Sequence, residues 1–323
     1  MNYNKPPYSL TDNIFTLSSE IQRLLGQYEG IIMPKPSIKL RRSSRIKTIQ
    51  GSLEIEGNKL TPEQVTAILD GNRVVGPQRD ILEAKNAIAL YDRAGSFNVL
   101  SEKSLCKAHS VMMEGLVKNP GKWRTGNIGV VDGSKVKHVA PKPNMVPGLV
   151  SNLFEFLKEE DKKKYLIASC VFHYELEFIH PFEDGNGRMG RFWQHLILTK
   201  YHPIFEYVPV ESVIRDKQKK YYSALGKADS AGESTIFIEF CLEVILNSLS
   251  AFLDELKPEP LTVDGRLERA SDQFGKNWFS RKDYIKFFKT ISTATASRDL
   301  LSGAESKKLE KRGKMAITEY RFV

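Results

Sequence analysis

Twelve consecutive residues gather side chains suited to phosphate chemistry: His180-Pro181-Phe182-Glu183-Asp184-Gly185-Asn186-Gly187-Arg188-Met189-Gly190-Arg191. They join an apolar helical stretch at 166–178 to a second one at 192–198. Gly185 and Gly187 let backbone N–H groups approach a ligand with no Cβ in the way. The helix that follows adds free N–H groups and the positive end of its dipole, which together make an anion site. Arg188 and Arg191 stand three apart, so both guanidinium groups project from one face of the first turn. Asp184 offers the hard oxygen that magnesium takes beside phosphates. His180 is the nearby side chain whose ordinary pKa suits base work near neutrality. The set reads as a nucleoside triphosphate site with a base next to it, sufficient for in-line displacement at phosphorus.

At all eight of its fixed positions the run resembles HPFxxGNGRxxR, the active-site motif of the Fic family. That resemblance implies a mainly helical fold transferring AMP from ATP to a hydroxyl of a target protein. It implies that His180 deprotonates the hydroxyl and that Asp184 holds magnesium. Gly185, Asn186 and Gly187 would line the hole for the α- and β-phosphates, and Arg188 and Arg191 would address the outer phosphates. Met189 and Gly190 fall inside the same nucleotide-binding run, and Phe182 is expected as a core anchor.

Two other regions carry the resemblance independently. Ser52 to Gly57 matches the family's inhibitory pattern Ser/Thr-x-x-x-Glu-Gly/Asn. Ser52 and Glu56 share a helix face, and Glu56 is expected to pair bidentately with Arg191, withdrawing it from the γ-phosphate. Its position upstream resembles the subclass whose inhibitory helix is N-terminal. Lys135, Val136, Lys137 and His138 resemble the edge of the family's flap, where an extended target segment lies by strand addition. Tyr221, Tyr222 and Asp229 resemble the helix bordering the adenine. The two tyrosines stand about 100° apart on a helix, so one faces the nucleotide and the other packs.

The elements that must position these residues are mostly helical. Apolar spacing predicts helices over 10–28, 38–56, 80–93, 101–113, 147–158, 164–178, 189–199, 217–227 and 235–256. Thr61-Pro62 adds a further start, with Thr61 as cap, and Gly57-Asn58 a stop. Between 119 and 143 the pattern changes to glycines among β-branched residues, and Asp132-Gly133 predicts a hairpin. Pro258 and Pro260 mark a linker. Residues 261–323 read as short helices ending in a strand pair, with an aromatic stripe from Trp278 to Phe288 as core. By order and size this tail resembles a winged helix. The expected architecture is therefore mainly α, a Fic-type helical bundle with a β-hairpin flap and a small winged-helix-like C-terminal domain. Its expected parts are an N-terminal region with the inhibitory helix (1–90), a catalytic core (91–256) and the module at 261–323.

Composition sets the frame. The chain has 323 residues, 41% hydrophobic and 27% charged, which excludes a disordered tail or a disulfide-stapled miniprotein. Lys plus Arg exceed Asp plus Glu by 48 − 39 = 9, favouring phosphate-bearing partners. The tail, with 14 basic against 8 acidic residues, holds most of that excess. Cys106, Cys170 and Cys241 are widely spaced and odd in number, as reduced thiols are. With no signal peptide and no run of about 18 apolar residues, a cytoplasmic protein without membrane contact is expected. The expected partners are Mg–ATP, a target protein and a second copy of the chain in a homodimer. The residues leave two alternatives open: removal of AMP or transfer of another nucleotide fragment at the same site, and a DNA-binding regulator with a vestigial enzyme domain.

Overall fold

Capping chemistry sets several helix starts in the computed structural model. It describes residues 5–30, 36–132, 135–256, 262–289, 291–313 and 318–323, with the backbone alone at 30 and 129–139. After α1 (Asp12–Gly30), Ser37 caps α2 (Ile38–Ile55) by accepting from the Leu40 N–H. Thr61 and Gln64 close a capping box at α3 (Pro62–Leu69). α4 (Gln78–Asp92) and α5 (Glu102–Met112) follow, the latter capped by Ser101. Strands β1 (Gly129–Asp132) and β2 (Lys135–Val139) pair antiparallel with an irregularity between Val130 and Val131. Gly133, at the expected turn, lies outside the described residues. The remaining helices of this part are α6 (Val146–Glu159), α7 (Tyr165–Ile179), α8 (Asn186–Tyr201), α9 (Val210–Asp216), α10 (Gln218–Ala231) and α11 (Thr235–Leu256).

The chain divides into two compact units, residues 1–256 and 257–323. In the first, α7 and α8 pack along each other at the centre, with Phe154, Phe172 and Trp193 in mutual ring contact. α1 packs on α11, and α2 on α9, so residues 1–90 and 91–256 share one hydrophobic core. The line drawn between them from sequence has no counterpart in the packing. α2 shows why its pattern is hard to read: Thr48 through Leu53 are all buried, polar and apolar alike. From Thr48 to Ile55 only Glu54 is exposed. α11 is long and apolar enough to cross a membrane, and 61% of its most apolar window is buried inside the protein. The three cysteines are free.

Two element boundaries differ from expectation. α8 begins at Asn186, so part of the glycine run is helix rather than loop. α9 was not expected at all, because seven residues between Pro209 and Lys217 give too short a period to recognise.

The second unit runs α12 (Val263–Phe274), β3 (Phe279–Ser280), α13 (Arg281–Phe288), α14 (Thr293–Glu305), β4 (Leu309–Arg312) and β5 (Glu319–Phe322), with sheet order β3-β5-β4. Leu267, Phe279, Tyr284, Leu300 and Phe322 form a core of its own. Buried Asp299 accepts from Arg266 (2.7 Å) and the Tyr284 hydroxyl (3.3 Å). The aromatic stripe is only partly core: Phe287 is exposed, and Trp278 lies under Arg312 and Arg321 at 4.2 and 4.8 Å. Pro258 and Pro260 lie outside the described residues.

Candidate nucleotide-binding site

α7 ends on His180, whose left-handed backbone (φ 50°) turns the chain as a C-cap. A non-glycine residue in that region stores about 1–3 kcal/mol and persists only where its surroundings fix it. Three side chains do so here. Buried Arg124 donates from Nε to the His180 carbonyl (2.7 Å), from Nη1 to Gly126 (2.9 Å), and from Nη2 to Ile179 (3.3 Å) and Pro141. It thereby ties the histidine's loop to both ends of the hairpin. His109 stacks on Phe182 at 3.7 Å, accepts the Gly121 N–H at Nδ1 (2.7 Å) and donates from Nε2 to the Asp184 carbonyl (2.9 Å). Burial lowers its pKa to about 4, so this neutral tautomer holds. Asn186 brackets Phe182, accepting its N–H and donating to its carbonyl, both at 2.9 Å. Phe182 is fully buried, the anchor its position in the motif implied.

His180 itself has one ring nitrogen committed. Nδ1 lies 3.3 Å from the Glu177 carbonyl. A carbonyl only accepts, so Nδ1 carries the hydrogen and Nε2 keeps its lone pair.

Beside it, α8 opens with no side-chain cap, so the N–H groups of Asn186, Gly187 and Arg188 have no acceptor within the helix. Gly185 takes φ 83° at the entry and donates its N–H to Asp184 Oδ1 (2.6 Å). The anion hole expected from the sequence is narrower than drawn. The side chain of Asn186 is spent on Phe182 and only its N–H faces the hole. Met189 is buried in the core. Gly190 packs on α7, where a Cβ would fall 2.7 Å from His173 Cδ2. Successive residues on a helix point about 100° apart, so these two turn away from the ligand face.

The two arginines are both held by carboxylates. Arg191, 1% exposed, donates from Nη2 to Glu56 Oε1 (2.7 Å) and to the Ser52 carbonyl (3.0 Å), and from Nε to Ser52 Oγ (3.2 Å). The expected Glu56 contact is present but through one carboxylate oxygen: Ser52 takes Nε and shares Nη2, and Nη1 is buried with no hydrogen-bond partner. Burial disfavours the charge on Arg191, but Glu56, Tyr221 and Glu177 hold its pKa above the ordinary value. Glu56 Oε1 also lies over Gly187, where an added Cβ would overlap it. The Ile55 carbonyl accepts from Gln218 Nε2 (2.7 Å) and the Tyr222 hydroxyl (3.2 Å), pinning the end of α2 to α10. Gly51 lets α2 lie directly on α9: a Cβ there would meet Glu211 and Ser212 backbone at 2.9 Å.

Arg188 is paired with Glu83 (3.2 Å) and Asp184 (3.3 Å). Glu83 also accepts from Asn58 (2.9 Å), and Arg79 bridges Glu83 (3.3 Å) and Asp184 (3.1 Å). Glu83, Arg79, Arg124 and His109 were not singled out from sequence as site residues, since each acts through contacts far along the chain. Asp184 keeps a part-exposed carboxylate, and no group of three or more metal-ligating side chains occurs among the described residues. One carboxylate fits magnesium, which retains waters and shares phosphate oxygens.

Tyr221 and Tyr222 divide as the helix angle requires. Tyr221 is 1% exposed and bonds Glu177 (3.2 Å) and His173 (3.1 Å); Tyr222 is 43% exposed beside Ile55. Tyr222 also lines an open groove of about 850 Å³ with Ser223, Gly226 and Ser230. Asp229 accepts from the Tyr174 hydroxyl (3.0 Å) instead of standing free. The side chains of Lys135, Val136, Lys137 and His138 lie outside the described residues; their backbone forms β2.

Residues 99–198 match the Fic/DOC family. Over 99% of its length the chain resembles the crystal structure of a Fic family protein from Desulfovibrio desulfuricans G20, covering 98% of that chain at 38% identity and a TM-score of 0.73. The chain belongs to the Fic family. Among curated relatives, this Fic protein is 24% identical over 246 residues to protein adenylyltransferase Fic of Nematostella vectensis (71% of this chain, 54% of the relative). It is 29% identical over 180 residues to a probable protein adenylyltransferase of Aquifex aeolicus (55% of this chain, 53% of the relative). The chain thus spans about half the length of the curated relatives it matches.

Proposed function

We propose that this Fic protein is a protein adenylyltransferase, moving AMP from ATP to a hydroxyl of a target protein, and that α2 holds it inhibited. The names of its relatives support the reaction class. The observation that carries the reading is local. An imidazole with a free Nε2 stands on a rigid loop that leads directly into an uncapped helix N-terminus.

In this reading His180 Nε2 takes the proton of the incoming hydroxyl as its oxygen attacks the α-phosphorus. The bond to the β-phosphate oxygen breaks and pyrophosphate leaves. The N–H groups of Asn186, Gly187 and Arg188 hold phosphate oxygens where charge builds. Asp184 is the residue that would hold magnesium, which when bound neutralises phosphate charge. Arg191 meets the outer phosphate only after Glu56 leaves it. Tyr222 borders the adenine, and a target segment adds along the β2 edge. The second unit is read as a winged-helix module from its helix and strand order. Arg298 is the only basic residue of α14, so that helix offers little for a run of phosphates.

The test is transfer from ATP labelled at the α- or the γ-phosphate, with magnesium and a lysate as acceptor. The reading predicts α-label on protein, increased by Glu56→Ala and abolished by His180→Ala. Transfer of γ-label, or equal α-labelling by all three proteins, overturns it.

A further inference from the structure

The helix faces that bring Ser52 and Glu56 to Arg191 continue beyond that contact. On α2, Thr48, Arg45 and Arg41 step back from Ser52 at helical spacing; on α8, His195 and Thr199 step forward from Arg191. These same residues line a cavity of about 890 Å³, within the size range of small-molecule sites. Its walls are of two kinds. Tyr91, Phe97 and Tyr207 offer ring surface. Arg41, Arg42, Arg45 and Lys200 face it against Asp92 and Glu206, and with Asp70, the ion-pair partner of Arg42, counted the charges stand four to three, a net of +1.

Arg45 is already paired. Its Nη2 reaches Asp92 (2.5 Å) and the Ile88 carbonyl (3.5 Å), but its Nε is buried with no hydrogen-bond partner. That Nε has almost no accessible surface, so it is sealed from the cavity, and Arg41 and Lys200 are exposed cations on the wall. Lys200 has no ion pair among the described residues.

We propose that the cavity between α2 and α8 binds a small planar anion, an aromatic ring bearing a carboxylate, sulfonate or phosphate, and that its occupant holds α2 in the inhibitory position. The ring lies on the tyrosine and phenylalanine wall, and the anionic group meets Arg41 and Lys200. The cavity has this form while α2 lies as it does here, so an occupant favours the arrangement with Glu56 on Arg191. By linkage it opposes nucleotide binding to the same degree. That second half rests on the inhibitory reading above; the binding half does not.

The probe is 1-anilinonaphthalene-8-sulfonate, titrated by fluorescence into the full chain. Gly95 lines the cavity, and a Cβ there meets nothing within 4 Å, so Gly95→Trp introduces a large side chain at the wall from an open position. The expected result is saturable binding to the wild type, weakened about tenfold or more in Gly95→Trp and in Arg41→Glu. Saturating probe should also weaken calorimetric binding of a non-hydrolysable ATP analogue to the wild type, and leave Glu56→Ala unaffected. Absent binding, or equal probe affinity in wild type and Gly95→Trp, overturns the site. Cavity-dependent probe binding that leaves nucleotide affinity unchanged overturns the coupling. If Glu56→Ala itself fails to alter nucleotide affinity, the inhibitory reading has failed and the probe-binding result still stands or falls alone.

Discussion

Replacing Glu56 by Ala should raise the affinity for nucleotide, and the geometry sets the scale. The ion pair is made through one oxygen at 2.7 Å, to a guanidinium 1% exposed, by a carboxylate 32% exposed. A charge-assisted hydrogen bond of this kind is worth about 1.5–3 kcal/mol. Nucleotide must displace it, so its removal should tighten binding by roughly 10- to 150-fold. Overlap adds to this, since Glu56 Oε1 occupies the space above Gly187. Folding stability should fall less than for a fully orphaned charge, because Arg191 keeps both Ser52 contacts. Calorimetric titration of a non-hydrolysable ATP analogue with magnesium measures the effect, and a Ser52→Ala variant separates the two holders of Arg191. Affinities of wild type and Glu56→Ala within a factor of about two would refute the argument, because the displaced bond would then be worth less than about 0.5 kcal/mol.

Other outcomes follow from single contacts. Gly51→Ala puts a Cβ against α9 backbone at 2.9 Å, so α2 must shift; transfer activity should rise while stability drops by about 1–3 kcal/mol, read by activity and urea denaturation. Arg124→Ala removes the tie from the His180 loop to the hairpin, and should cost about 2–4 kcal/mol and lower kcat with nucleotide affinity unchanged. Glu211, fully enclosed with Oε2 unpartnered, has its pKa raised by burial to about 7. A raised carboxyl pKa gives stability present below the unfolded value and lost as pH rises through about 7. Glu211→Gln should therefore gain on the wild type between pH 5 and pH 8 by up to about 3 kcal/mol, measured by denaturation at the two pH values; an unchanged pH profile refutes it.

The centre of the site was legible because its parts are contiguous. A base, a glycine turn and a helix start lie within one short run that local rules read together, whereas the left-handed C-cap at His180 and the start of α8 at Asn186 were not read from it. The Glu56–Arg191 pair was legible only through the resemblance of Ser52 to Gly57 to the family's inhibitory pattern; a glutamate at a helix end by itself names no partner. Its single-oxygen form was not, because it depends on how α2 and α8 pack in the folded chain. Arg124, His109 and Glu83 escaped because each is defined by carbonyls or charges that folding brings from tens of residues away. No periodicity signals such a role. Tyr221 and Tyr222 mark the boundary between the two cases. Helix geometry fixes that they diverge, but only the packing of α10 on α7 and α11 decides that Tyr221 turns inward.

A crystal of Glu56→Ala grown with a non-hydrolysable ATP analogue and magnesium tests the central claim most directly. The account predicts phosphate oxygens on the N–H groups at the start of α8, Arg191 turned to the outer phosphate, and His180 Nε2 facing the α-phosphorus. A nucleotide bound elsewhere, or a His180 ring turned from the α-phosphate, would contradict it.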